Sequence, residues 1–232
     1  MLRTRDHHRS TKGPGVGDGV ADAVLLQGVV STIGAFPVLA GIDLQVAVGE
    51  VVLISGPNGA GKTSLLRLIA GQLPVTAGRA VVLGHDLEWT GKAQRRHTAL
   101  VAQETFCYDD LSVRRNLRLH ALVAGTTDLA ADEAIELMHL TDVADMPHGH
   151  LSTGQRRRCA LAVGLARRAR LLLLDEPHAG LDPQSRGLVD GILSDVRSRG
   201  GTVLVVSHEL ERVRPLVDRE IVVEGGCTAP LF

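Results

Sequence analysis

The stretch Gly56-Pro57-Asn58-Gly59-Ala60-Gly61-Lys62-Thr63 constrains this chain more than any other, because it fits G-x-x-x-x-G-K-[ST] and sits where that pattern has physical meaning. Before it, Glu50 to Ser55 reads as a buried strand. After it, Ser64 to Ala70 reads as a helix. Glycines let backbone N–H groups close around phosphate oxygens, and the following helix N-terminus favours negative charge. Lys62 is placed to reach the β- and γ-phosphates, and the Thr63 hydroxyl to ligate Mg²⁺. These residues, with Ser64, predict a site for a nucleoside triphosphate. A phosphate loop alone leaves the use of that nucleotide open.

At 232 residues the chain is long enough to bury a sizeable core as one domain. A net charge of −1 gives no basic field, which argues against a nucleic-acid partner. No apolar run approaches the roughly 18 residues that would cross a bilayer. The N-terminus lacks a signal-peptide hydrophobic region, so a cytoplasmic location is expected. Cys107, Cys159 and Cys227 are far apart with no C-x-x-C spacing, which reads as idle or buried thiols rather than a disulfide framework or zinc site. His7-His8 and the pair His148 and His150 read as solvated loop histidines.

Residues 1–20 are polar and glycine-rich, and are expected to form a disordered tail ahead of a single domain over 21–232. Strands are expected near 24–30, 38–48, 78–84 and 99–102. From Leu111 to Leu140 the pattern turns helical, with Leu117, Leu119, Leu122 and Val123, then Ala134, Ile135, Leu137, Met138 and Leu140 as apolar faces, broken at Gly125-Thr126-Thr127-Asp128. A helical subdomain of about 104–153 is thus inserted into an α/β chain. Helix 155–169, strand 171–174, helix 184–199 and strand 202–206 then alternate as a parallel sheet requires.

The run Leu171 to Leu174 ends in Asp175-Glu176-Pro177. A buried strand stopping in two carboxylates beside a phosphate loop suits the first to a magnesium ion and the second to an attacking water. Leu151-Ser152-Thr153-Gly154-Gln155 precedes another helix, and alone would be a helix cap. Arg156, Arg157 and Arg158 at that helix start read as a solvated face.

In order, the phosphate loop, Gln103, Leu151 to Gln155, Asp175-Glu176, Leu181-Asp182 and His208 resemble the ATP-binding-cassette (ABC) ATPases over residues 21–226. The resemblance implies a P-loop NTPase core with an N-terminal antiparallel β part and an inserted α-helical subdomain. It implies catalytic roles for Glu176, His208, Gln103 and Lys62, and metal contacts from Thr63, Gln103 and Asp175. Ser152, Thr153, Gly154 and Gln155 would meet nucleotide held by a second copy or a paralogous subunit, with Asp182 at that dimer interface. Four positions depart from the family's habit. Thr153 replaces a glycine, His178 a Ser or Thr, Val163 an arginine, and Ile33 stands where an aromatic often stacks on adenine, with Phe36 nearby.

This points to the ATP-hydrolysing subunit of an ABC transporter, peripheral on the inner face of the membrane through separate membrane-spanning subunits. The two dozen residues after His208 suggest a small subunit without a C-terminal regulatory domain. Gly61 to Gly71 and Leu151 to Arg158 look most like the haem-exporter ATPase of cytochrome c maturation. The alternative is a soluble ABC ATPase such as one serving iron–sulfur assembly. Residues 104–112, with Phe106 and Tyr108 in an aromatic-poor chain, are expected to form part of the groove that receives a membrane subunit.

Overall fold

The computed structural model describes residues 22–88, 93–102, 106–183 and 185–228. Two long strands open the chain, β1 (Asp22–Ile33) and β2 (Phe36–Ala47), followed by β3 (Val51–Ser55) and helix α1 (Lys62–Ile69). Strands β4 (Ala77–Val82), β5 (His85–Asp86) and β6 (Thr98–Val101) come next, then helices α2 (Val113–Ala124), α3 (Asp128–Leu137) and α4 (Thr153–Ala166). The chain continues through β7 (Leu171–Asp175), α5 (Arg186–Ser198), β8 (Thr202–Val206), the short α6 (Leu210–Val213), β9 (Arg219–Glu224) and β10 (Cys227–Thr228). The expected strands and helices all form, most with ends one or two residues from the sequence reading. The His7-His8 pair and the 1–20 tail lie outside the described residues.

Two sheets result. Strands β2-β1-β4-β5 make an antiparallel sheet, and β10-β9-β3-β8-β7-β6 make a sheet whose five strands from β9 to β6 are parallel. Parallel strands covered on both faces have no solvated side, so β3, β7 and β8 are apolar almost throughout. Their side chains alternate between two cores. Val51, Leu53, Leu172, Leu174, Val203 and Val205 face the helices α2 to α5. Val52, Ile54, Leu171, Leu173, Leu204 and Val206 face α1 and the antiparallel sheet. The phosphate loop leaves β3 at the centre of this sandwich, so a rigid strand fixes its start.

The two sheets are joined beside that loop. Gly226 donates its amide to the Ala60 carbonyl at 2.9 Å and accepts from the Ala40 amide at 2.8 Å. Further out, the Thr228 hydroxyl donates to the Asp43 carbonyl at 2.8 Å.

The helical region departs from the sequence reading in its faces. In α2 the buried residues are Val113, Asn116, Leu117 and Ala121, while Leu122 and Val123 are exposed. Leu137 of α3 is likewise half exposed. One helix can bury only one stripe of about 100°, and Leu122 and Val123 lie outside the stripe that meets α3 and α4. Asn116 fills the polar gap, its amide nitrogen donating to the carbonyls of Tyr108 and Leu111 and its oxygen accepting from the Tyr108 amide.

Candidate nucleotide-binding site

Between β3 and α1 the loop encloses an open cleft of about 380 Å³. Gly56 has φ +137°, and a side chain there would run into the Val223 carbonyl at 2.0 Å. Gly61 caps α1 at φ +105°, where a Cβ would meet the Val38 carbonyl at 2.9 Å. Both glycines are therefore required by strand–loop packing as well as by access to phosphate. Lys62 is buried, its Nζ donating to the carbonyls of Gly56 at 2.7 Å and Pro57 at 2.9 Å. The ammonium is thus held inside the loop.

The carboxylates at the end of β7 reach the same cleft. Thr63 Oγ1 donates to Asp175 Oδ2 at 2.9 Å, while Asp175 Oδ1 is buried with no hydrogen-bond partner. A buried carboxylate oxygen without a partner, next to a hydroxyl, is a hard oxygen set of the kind that suits a magnesium ion. Glu176 takes φ +49°, a left-handed conformation that strains a residue other than glycine. Its Oε2 accepts from the His208 amide at 3.1 Å, and its Oε1 lies 3.3 Å from His208 Nε2 without hydrogen-bond alignment. The His208 side chain is itself more than half exposed at the cleft rim.

Ser152, Thr153, Gly154 and Gln155 do not line this cleft. They open α4 on the surface as a capping box: Ser152 Oγ accepts from the Gln155 amide at 3.3 Å, and Gln155 Oε1 accepts from the Ser152 amide at 2.9 Å. Accepting that bond leaves the serine O–H free to donate elsewhere. The Gln155 side chain, by contrast, is committed to the cap. Asp182 is exposed, and its carboxylate accepts from the Ser185 amide at 2.9 Å and hydroxyl at 2.8 Å. Gln103 lies outside the described residues.

The three arginines after the signature are not a solvated face. Arg157 is buried, and its guanidinium donates to the carbonyls of Ala102 at 2.5 Å, Asp175 at 3.0 Å, Glu176 at 2.5 Å and Pro177 at 3.4 Å. Burial lowers its pKa, against the pull of Asp175 and Glu176. Arg156 bonds the carbonyls of Gly149 and Leu151, and Arg158 those of Met138 and His139. The planar five-donor fork lets each serve loop carbonyls that no helix or strand satisfies.

Sequence reasoning also passed over Pro37, Val38, Ala40, Gly225 and Gly226, which wall the cleft. The Gly225-Gly226 pair was the available signal. Ile33 and Phe36 stand at the β1–β2 turn, both exposed, and neither lines the cleft, although Pro37 beside Phe36 does.

The sequence profile of the ABC transporter family matches residues 39–179. Relatives include a daunorubicin resistance ATP-binding protein, DrrA3, of Streptomyces coeruleorubidus, 38% identical over 88% of this chain and 66% of that protein. The Nod factor export ATP-binding protein I of Bradyrhizobium diazoefficiens is 33% identical over 88% of this chain and 68% of its own length. A dimeric ATP-binding cassette solved in a post-hydrolysis state with ADP and Pi superposes with a TM-score of 0.81 at 25% identity, covering 89% of this chain and 97% of that one. The fold and the cleft are those of an ATP-binding-cassette ATPase. The chain belongs to the ABC transporter family. It spans about two thirds of the two bacterial relatives and 9% of the mouse sub-family A member 7 that it also matches. Among the described residues no helix is long and apolar enough to cross a membrane.

Proposed function

We propose that this chain hydrolyses ATP to power a membrane transporter, pairing with a second copy or a paralogous subunit and driving separate membrane-spanning subunits from the inner face of the cell membrane. The observation that carries the reading is the convergence of Lys62, Thr63, Asp175, Glu176 and His208 on one cleft from which Ser152 is excluded. Ser152 and Thr153 are exposed on the surface, where another molecule would reach them. In that dimer the Ser152 hydroxyl and the α4 N-terminus would contact the γ-phosphate held by the partner's loop, with Asp182 at the interface.

Asp175 and Thr63 would hold Mg²⁺, with Gln103 as the further ligand the family resemblance implies. Held there, the ion would supply positive charge to the phosphate oxygens. Glu176 receives the proton of the attacking water, and His208 beside it positions that water. The helical segment of about 104–153 takes the docking role within a single cassette. Its exposed Phe106 and Val123 line a groove of about 310 Å³ with Arg95, Arg96 and His120, the place assigned to a short helix of a membrane subunit. Export is the direction supported by the name of the Nod factor relatives. Their names and that of DrrA3 lend nothing to haem as cargo or to sulfur assembly.

Glu176→Gln tests the reading. Losing a general base costs about 10²–10⁴-fold in rate. Phosphate release should fall by that much while size-exclusion chromatography shows an ATP-dependent dimer. Turnover at the parent rate would remove Glu176 from the mechanism.

A further inference from the structure

Two cysteines 52 residues apart in sequence meet in the helical lobe. Cys107 Sγ lies 4.0 Å from Cys159 Sγ, and a ring nitrogen of His148 completes a triangle with every side within 4.8 Å. Cys107 follows β6, His148 opens the turn before the signature, and Cys159 lies on α4. The sequence reading of His148 as a solvated loop histidine is corrected here, while that of buried or idle thiols agrees with the burial of Cys159. His148 and Cys159 are buried and Cys107 half-buried, whereas His150 is exposed.

Two features favour a ligand over simple packing. Two thiolates on one tetrahedral zinc, at Zn–S of about 2.3 Å, stand about 3.8 Å apart, close to what is seen here. A disulfide would need about 2.05 Å. His148 Nδ1 is held by Asp109 Oδ1 at 2.8 Å, and a carboxylate behind the imidazole is the usual partner that orients a metal-binding histidine through its other nitrogen.

We propose that Cys107, Cys159 and His148 form a binding site for one thiophilic d¹⁰ cation, zinc being the test ion, with a fourth position open to water. Soft sulfur ligands with imidazole select zinc or copper(I) over magnesium, so this site is chemically separate from the nucleotide cleft. An ion here fastens the segment after β6, the turn before the signature and α4 to one another.

The full-length chain, reduced and chelator-treated, is titrated with Co²⁺ as a spectroscopic stand-in and then with Zn²⁺. One equivalent of Co²⁺ should give a thiolate-to-metal charge-transfer band that Zn²⁺ abolishes, and Zn²⁺ should raise the melting temperature. A magnesium-type oxygen site cannot produce that band. Cys107→Ser and Cys159→Ala should each remove the band, and Asp109→Ala should weaken binding about 10–100-fold. Cys227→Ser should leave it intact. If Cys159→Ala fails to fold, the half-buried Cys107→Ser decides alone. The proposal fails if no thiolate band forms, if the band survives in Cys107→Ser, or if the reduced chain takes up no metal and air oxidation yields a Cys107–Cys159 disulfide instead.

Discussion

Replacing Arg157 by methionine isolates what its guanidinium does, because methionine keeps most of the aliphatic volume and loses every donor. Three strong acceptors lose a partner: the carbonyls of Ala102, Asp175 and Glu176, all within 3.0 Å. A buried carbonyl left without a partner costs about 1–3 kcal/mol. Water entering the vacated space recovers part of that, and removing a buried cation returns its desolvation cost, so about 4 kcal/mol is the expected loss. Against a total of about 5–15 kcal/mol this is large. At about 2–4 °C per kcal/mol for a chain of this size, the melting temperature should drop by about 8–16 °C. Arg158→Met is the control. Its guanidinium serves two carbonyls at a partly exposed site where water can replace it, so about 1 kcal/mol and 2–4 °C are expected.

Arg157 also braces the strained Glu176 backbone through two carbonyls, that of Asp175 just before it and its own. Loss of the brace should move the Glu176 carboxylate, the base proposed above, and a displacement of about 1 Å can cost about 10²-fold in rate. Arg157→Lys should fall between, since an ammonium cannot span the same carbonyls as a planar fork. Calorimetry and steady-state phosphate release on the three variants read both effects. A methionine variant melting within about 2 °C of the parent and hydrolysing ATP normally would refute the brace.

His178 is buried with neither ring nitrogen hydrogen-bonded, and burial lowers its pKa against the pull of Glu209 and Asp190. The folded state therefore binds fewer protons than the unfolded one near an ordinary histidine pKa of about 6.5. Its stability is complete above that value and declines as pH falls below it, so the melting temperature of His178→Thr should depend less on pH over that window. Equal slopes for parent and variant would contradict this. Ser152→Arg should leave monomer ATP affinity unchanged and abolish ATP-driven dimerisation, whereas Lys62→Ala should weaken ATP binding. Mixed, the two should regain about one competent site per heterodimer, and no recovered hydrolysis from two folded partners would count against a shared site. Cysteines at Phe106 and Val123, crosslinked in membranes in an otherwise cysteine-free chain, should capture a polytopic membrane protein; labelling of soluble assembly proteins alone would favour the other reading.

What was legible in the sequence is what neighbours in sequence accomplish together. Gly56 to Thr63 form their loop from adjacent residues, and the unbroken run Leu171 to Leu174 announces a strand covered on both faces. Asp175 and Glu176 inherit their position from that strand. Where a residue's partner comes from another element, the pattern is silent. Arg157 looked solvated because a helix start with three arginines carries no sign that the carbonyls of Ala102 and Glu176 lie opposite. Cys107, His148 and Cys159 lacked any metal spacing because three separate segments bring them together. Leu122 and Val123 were counted as core because periodicity finds apolar residues without saying which stripe meets a neighbour.

The same long-range contacts bear on how the cassette works. Helix α4 begins at Ser152, where a partner's nucleotide would press. One turn later Arg157 reaches the end of β6 and the catalytic end of β7, and two residues further Cys159 faces the segment that leaves β6. Helix α4 is 14 residues long and its capping box is closed. Any displacement of its N-terminus must carry Arg157 with it. The bonds to Ala102, Asp175 and Glu176 then either follow, shifting the catalytic carboxylates, or break, at a cost of several kcal/mol by the argument above. In the proposed dimer, the guanidinium would therefore be the connection through which contact at Ser152 reaches Glu176.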